Sequence, residues 1–136
     1  MSPELSQQLR ARYPSIFEHV PTLSCRDGWF DLIDTLCATL QNVTRQGGPQ
    51  VVASDVKEKY GALSFYTNGI NDEQDGMIQF AVTMSERICE VCGNRGQRRG
   101  DGWITTRCDA HVEPKKIATV GGDNGLVRCS DIHLGR

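Results

Sequence analysis

The stretch RICEVCGNRGQRRGDGWITTRCDAH, residues 87–111, places two ligand-bearing pairs close together in a chain of 136 residues. Cys89 and Cys92 form a CxxC pair, and after a spacer of fifteen residues Cys108 and His111 form a CxxH pair. Zinc prefers four nitrogen or sulfur ligands in a tetrahedron, and two such pairs supply them. The spacing therefore predicts one zinc site in a knuckle of the zinc-ribbon or treble-clef type.

Other uses of these cysteines fit the pattern less well. Free cysteines are common in protein cores, but that reading gives no reason for two regularly spaced pairs. A redox CxxC of the thioredoxin type opens a helix, whereas Cys89 follows a predicted helix. A zinc deaminase would carry a Pro-Cys-x-x-Cys motif, which this chain lacks. Four protein ligands leave no position for water, so a structural ion is favoured over a catalytic one.

The remaining cysteines give weaker signals. Cys129 and His133 have a CxxxH spacing and could add an alternative fourth ligand or a second weak site. The simpler interpretation is two unrelated residues of the C-terminal segment, because a second site would need two more ligands. Cys25 and Cys37 have no partner pattern, and Cys37 lies on an apolar helix stripe. Both are predicted to be core thiols.

Composition and charge restrict the class of protein. A hydrophobic content of 38% and a charged content of 24% are ordinary globular values. No apolar run approaches the roughly 20 residues of a membrane span, and MSPELSQQLRARYP lacks the apolar centre of a signal peptide. We therefore expect a cytoplasmic protein without structural disulfides. The net charge is −2, and the excess of basic residues after residue 86 is only +3, modest for a phosphate-binding protein.

The helical periodicities predict three helices. Ser2 and Pro3 are suited to begin a short helix that reaches about Tyr13. The segment DGWFDLIDTLCATLQNVTRQGG predicts a second helix, with Asp27 as its N-cap and Gly47 and Gly48 at its end. Its apolar stripe consists of Trp29, Ile33, Leu36, Leu40 and Val43. A third helix is predicted from about Asn71 to Ile88, leading directly into the first cysteine pair.

Between the second and third helices, VVASDVKEKYGALSFYT predicts two strands that turn near Tyr60 and Gly61. The predicted fold class is α+β, with amphipathic helices packed on a small antiparallel hairpin or sheet and a zinc knuckle attached. Residues 1–88 would form the core and residues 89–111 the knuckle of the same compact domain. Residues 112–136 would form a C-terminal extension.

The knuckle is also the candidate partner-binding region. Its candidate residues are Arg95, Arg98, Arg99, Trp103 and Arg107. The arginines could bind phosphates while Trp103 stacks on a base. They could equally contact an acidic protein surface or form a solvated loop. Trp103 to Thr106 is predicted to be a short strand that leads to the second ligand pair.

The segments DGWFDLIDTLC, VKEKYGALSFY and ICEVCGNRGQRRGDGWITTRCDAH together resemble a family of small proteins encoded by bacteria and their phages or prophages. The members carry a Trp-containing helix, a KEKFGxLRFY strand and a CExCGxxGxxR…GW…TxCdxH knuckle in that order. The resemblance covers roughly residues 27–111, and Ser64 stands where an arginine is more usual. It implies a phage or mobile-element origin and a zinc knuckle working in the host cytoplasm.

These observations favour a non-enzymatic, zinc-stabilised protein that binds a host protein or nucleoprotein complex. An anti-defence protein, such as an anti-CRISPR inhibitor, is the sharpest form of this hypothesis, and it rests on analogy. A small nucleic-acid-binding regulator that uses the arginine-rich loop is the alternative. No phosphate loop or nucleophile motif indicates an enzyme.

Overall fold

The computed structural model describes residues 1–112. Within this range the helices are Pro3–Arg12 (α1), Pro14–Phe17 (α2), Phe30–Arg45 (α3) and Asp72–Ser85 (α4). The strands are Leu23–Ser24 (β1), Val52–Lys59 (β2), Ala62–Asn68 (β3), Gln97–Arg99 (β4) and Thr105–Arg107 (β5). Short 3₁₀ turns are formed by Asp27–Trp29 and Asp109–His111. The predicted mixture of helices and small sheets is confirmed.

The larger sheet has the strand order β1-β2-β3. Strands β2 and β3 are antiparallel, as predicted, and Tyr60 and Gly61 connect them with φ angles of 54° and 82°. Two consecutive positive φ angles are the mark of a type I′ turn, whose twist matches that of the flanking strands. Strand β1 was not predicted, because two residues are too few to show an alternation. It pairs parallel to β2, with Leu23 opposite Val56.

Helix α3 buries the predicted stripe in the hydrophobic core and packs against α4. The buried residues are Trp29, just before the helix, and Ile33, Leu36, Cys37, Leu40 and Val43 within it. The predicted N-cap is wrong: α3 begins at Phe30 without a side-chain cap, after the 3₁₀ turn. The Asp27 carboxylate instead accepts a hydrogen bond from the backbone N–H of Ser2 at 2.7 Å. The predicted end is confirmed, since Gly47 has a φ of 104° immediately after the helix.

Helix α4 is shorter than its apolar periodicity predicts. Asn71 and Gln74 form a capping box at its start, and the helix ends at Ser85 rather than Ile88. The carbonyl of Arg87 accepts from Gly96 N–H at 2.9 Å, and Ile88 forms a β-bridge with Arg95. Arg87 and Ile88 therefore pair with residues that follow Cys89. These extended contacts take the place of the last predicted helical turn.

Candidate metal centre

The four predicted ligands converge in the structure. The Sγ atoms of Cys89, Cys92 and Cys108 and a ring nitrogen of His111 all lie within 4.8 Å of one another. The distances include 3.8 Å from Cys92 Sγ to Cys108 Sγ, 3.8 Å from Cys89 Sγ to His111 Nδ1, and 3.3 Å from Cys108 Sγ to His111 Nδ1. Zinc–sulfur and zinc–nitrogen bonds of about 2.3 and 2.0 Å require edges of about 3.5–3.8 Å in a tetrahedron. The arrangement therefore fits a tetrahedral metal ion.

Local turns place each ligand pair. After Cys89, the backbone folds back so that Gly93 N–H donates to Cys89 O at 2.9 Å, with Gly93 at a φ of 82°. On the other side, Cys108 follows β5, and His111 N–H donates to Cys108 O at 3.0 Å in a 3₁₀ turn. Strands β4 and β5 form an antiparallel hairpin between the pairs. The hairpin therefore brings together ligands that are fifteen residues apart in sequence.

The centre is anchored to the helical core by the segment before α3. Trp29 is fully buried, and its indole Nε1–H donates to Ile88 O at 2.9 Å. Gly28 N–H donates to Glu90 O at 2.7 Å. A Cβ atom on Gly28 would lie 2.2 Å from Cys89 O and 2.5 Å from Glu90 O, so this contact requires glycine. The knuckle is thus packed directly on the 3₁₀ turn that precedes α3.

An ion pair lies beneath the knuckle. Arg107 Nη2 is 3.7 Å from Glu90 Oε1, and the two side chains are 7% and 5% exposed. Glu90 Oε2 also accepts from Arg26 N–H at 3.2 Å. Burial raises the pKa of Glu90, the nearby Glu58 raises it further, and Arg107 opposes them. This pair was not predicted, since sequence spacing gives no sign that Glu90 points inward.

The predicted partner-binding residues have different environments. Trp103 is 76% exposed. Positive φ angles at Gly100 and Gly102 keep residues 101–103 in bends, so the strand that was predicted to start at Trp103 begins only at Thr105. Arg95 is exposed. Arg107 is buried and donates to His111 O at 3.3 Å as well as pairing with the buried carboxylate below it. These contacts hold the side chain inside the knuckle, and a partner-binding role for Arg107 stays a prediction.

Two of the remaining arginines already have acidic neighbours. Arg98 Nη1 is 3.6 Å from Glu86 Oε1, and its Nη2 donates to Tyr60 O at 2.7 Å. Arg99 pairs with Asp109, and its Nε donates to a β5 carbonyl at 3.0 Å. These contacts reduce the positive potential that the arginine-rich loop offers to solvent.

A groove of about 610 Å³ lies between β1 and the knuckle. Trp103 stands at its edge, and the buried Glu90 and Arg107 contribute to its lining. The side next to β1 is formed by residues 22–26. The exposed tryptophan therefore borders a concave surface, a setting typical of binding sites.

Two further cysteines are core thiols, as predicted. Cys25 and Cys37 are 4% and 0% exposed. Burial raises the pKa of Cys25 to about 12, and burial also raises the pKa of Cys37. Both thiols should therefore react slowly at neutral pH. Cys129 and His133 lie outside the described residues, as does most of the predicted extension 112–136.

Comparison with protein-family models, with curated proteins and with solved structures finds no match for this chain. Within residues 1–112, no helix combines the length and the apolar character that crossing a membrane requires.

Proposed function

We propose that Cys89, Cys92, Cys108 and His111 hold one structural zinc ion in a zinc-ribbon-like knuckle. The supporting observation is the convergence of three cysteine sulfur atoms and one imidazole nitrogen within 4.8 Å of one another, with three of the contacts at 3.3–3.8 Å. Thiolate and imidazole donors favour zinc over hard cations, and four protein ligands complete its usual shell. Two of the thiols, Cys89 and Cys108, are 0% and 2% exposed, which suits an architectural ion.

Metal analysis tests this centre directly. Protein purified without added metal should contain about one zinc per chain. The Cys25→Ala variant, which removes a buried thiol outside the cluster, should retain the same amount. Less than half an equivalent in the wild type, with all four ligands reduced and intact, would refute the assignment.

The second part of the proposal is that the protein is a non-enzymatic binding protein whose knuckle contacts a protein. Trp103 supports this most strongly, since a large aromatic side chain exposed at the edge of a groove is typical of interface anchors. Arg95 and the partly exposed Arg98 would lie at the rim of such an interface. The phage or mobile-element resemblance suggests a host complex, including a defence complex such as a CRISPR nucleoprotein, as the partner.

A protein partner is preferred over nucleic acid because of the ion pairs in the knuckle. Arg98, Arg99 and Arg107 each lie beside an acidic side chain of the same chain. Each phosphate contact would have to compete with these internal carboxylates. The alternative, a nucleic-acid-binding regulator, therefore has little unneutralised basic surface in the knuckle to work with.

A comparative capture experiment tests the binding proposal. Tagged wild-type protein, Trp103→Ala and Phe80→Ala are used to capture proteins from a host lysate. Phe80 is a matched control, because it is also an exposed aromatic residue, 68% exposed, but lies on α4. A protein captured by the wild type and by Phe80→Ala, and lost with Trp103→Ala, would support the proposal. Equal capture by all three would contradict the assigned surface.

Binding to unrelated DNA and RNA at different salt concentrations tests the alternative. We expect weak binding at physiological salt. Tight binding that falls steeply as salt rises would favour the nucleic-acid-binding regulator instead.

A further inference from the structure

We infer that Cys92 is a site of oxidation by hydroperoxides and that its oxidation, completed by Cys108, opens the metal centre. This inference rests on the proposed zinc centre.

Exposure distinguishes Cys92 from the other cysteines of the described range. Cys92 is exposed, whereas Cys25, Cys37, Cys89 and Cys108 are all buried. A hydroperoxide must reach the sulfur atom to react with it, so accessibility favours attack at Cys92. The two core thiols are further protected, because burial raises the pKa of each.

The position of Cys108 completes the reaction. Its Sγ atom is 3.8 Å from Cys92 Sγ. Disulfide formation requires the two sulfur atoms to approach to about 2.05 Å. Cys92 lies in an exposed turn and Cys108 is buried directly after β5, so we expect Cys92 to make most of this movement.

Formation of the Cys92–Cys108 disulfide proceeds in two steps. In the first, the Cys92 thiolate attacks one oxygen of hydrogen peroxide: an S–O bond forms, the O–O bond breaks, and the departing hydroxide takes up a proton to become water. Cys92 is thereby oxidised to a sulfenic acid and the peroxide is reduced. In the second, the Cys108 thiolate attacks the Cys92 sulfur, the S–S bond forms, and the S–O bond breaks to release hydroxide, which also becomes water. One peroxide, two thiolates and two protons thus give one disulfide and two waters.

After this reaction Cys89 and His111 alone remain as ligands, which is too few for tight zinc binding. Trp103 lies between the two ligand pairs in the sequence, so loss of the ion that joins the pairs would alter the surface around Trp103. Partner binding would then respond to peroxide.

The experiment uses the full-length, zinc-loaded protein. Hydrogen peroxide is added, zinc release is followed with a chromogenic chelator, and the cysteine pairing is mapped by peptide mass spectrometry. We expect release of the bound zinc together with a Cys92–Cys108 disulfide. In the Cys92→His variant, which keeps four ligands but has no exposed thiolate, release should be at least about tenfold slower. The Cys129→Ser variant should release zinc at the wild-type rate.

A sulfenic-acid trap on the wild type gives a second readout that does not depend on any variant folding. The label should appear first on Cys92. Labelling that starts at Cys25 or Cys37, or a disulfide that involves Cys129, would overturn the inference. So would full zinc retention in excess peroxide, or equal release rates for the wild type and Cys92→His. If the untreated protein contained no zinc, the metal centre itself would be refuted, which elemental analysis distinguishes from these outcomes.

Discussion

Glu90 and Arg107 form a buried ion pair, 3.7 Å from Oε1 to Nη2, in which each residue is adjacent in sequence to a cysteine of the Cys/His cluster. Glu90 follows Cys89 and Arg107 precedes Cys108. The pair therefore connects the two halves of the knuckle at a buried position. Removing one member of a buried ion pair leaves the other charge without compensation, which is more costly than losing an exposed pair.

We expect Glu90→Gln to lower the free energy of unfolding of the zinc-loaded protein by about 3–5 kcal/mol. Urea denaturation measures the change. The control is Asp55→Asn, which removes the exposed pair of Asp55 with Lys57 and should cost less than about 1 kcal/mol. Equal, small effects of the two substitutions would show that the buried pair does not stabilise the knuckle.

Gly28→Ala should separate the knuckle from the core, because the new Cβ would collide with two backbone carbonyls at 2.2 and 2.5 Å. We expect the free energy of unfolding to fall by about 3 kcal/mol. Zinc should also be lost more readily in a chelator competition. Gly76→Ala is the matched control, since its Cβ would meet nothing within 4 Å in α4. This control should gain about 0.5–1 kcal/mol from its helical position. Wild-type stability and zinc retention in Gly28→Ala would contradict the described contact.

Cys108→Ser should release the metal and loosen residues 89–111, because ligation and folding are coupled in structural zinc sites. The far-ultraviolet circular dichroism should largely persist, because the α3 stripe is buried independently of the metal. In a Trp103→Phe background, the emission of Trp29 should shift to longer wavelength, since its indole N–H bonds to Ile88 O at 2.9 Å. Unchanged Trp29 emission after metal loss would show that the knuckle and the core are uncoupled.

Tyr13 should give the protein an alkaline stability limit. Burial is the larger cause and the hydrogen bond to Asp34 the next, and together they raise the pKa of Tyr13 from 10.0 to about 12. A raised folded-state pKa means that the neutral form stabilises the fold below about pH 10 and that this contribution is lost as the pH rises towards 12. Urea unfolding at about pH 9 and about pH 11 should show a decline that is smaller in Tyr13→Phe than in the wild type. An equal decline in both proteins would exclude this residue as the cause.

Cys25 and Cys37 should resist alkylation in the native protein at neutral pH, because both are buried and both have raised pKa values. Mass spectrometry after brief treatment with iodoacetamide measures the modification of each cysteine. Both should become reactive in urea. Rapid native modification of either thiol would contradict its placement in the core.

Local patterns in the sequence were sufficient for several features. The stripe from Trp29 to Val43 predicted the buried face of α3, because helical periodicity places these residues on one side whatever they pack against. Tyr60 and Gly61 marked the hairpin turn, since the tight connection between the strands fixes the register. The cluster of Cys89, Cys92, Cys108 and His111 was predicted from spacing alone, because a tetrahedral ion restricts which pairs can share it.

Other features depended on contacts between distant segments. The early end of α4 follows from the bridge between Ile88 and Arg95, which competes with the last helical turn. The sequence by itself determined the buried face of α3, the hairpin turn and the four clustered cysteine and histidine residues, because each follows from short-range periodicity or spacing. Only the tertiary structure decided that Arg107 points inward to Glu90 while Trp103 stays exposed. The burial of a charged side chain depends on whether folding brings an opposite charge to it, and here the two charges are separated by seventeen positions in the chain.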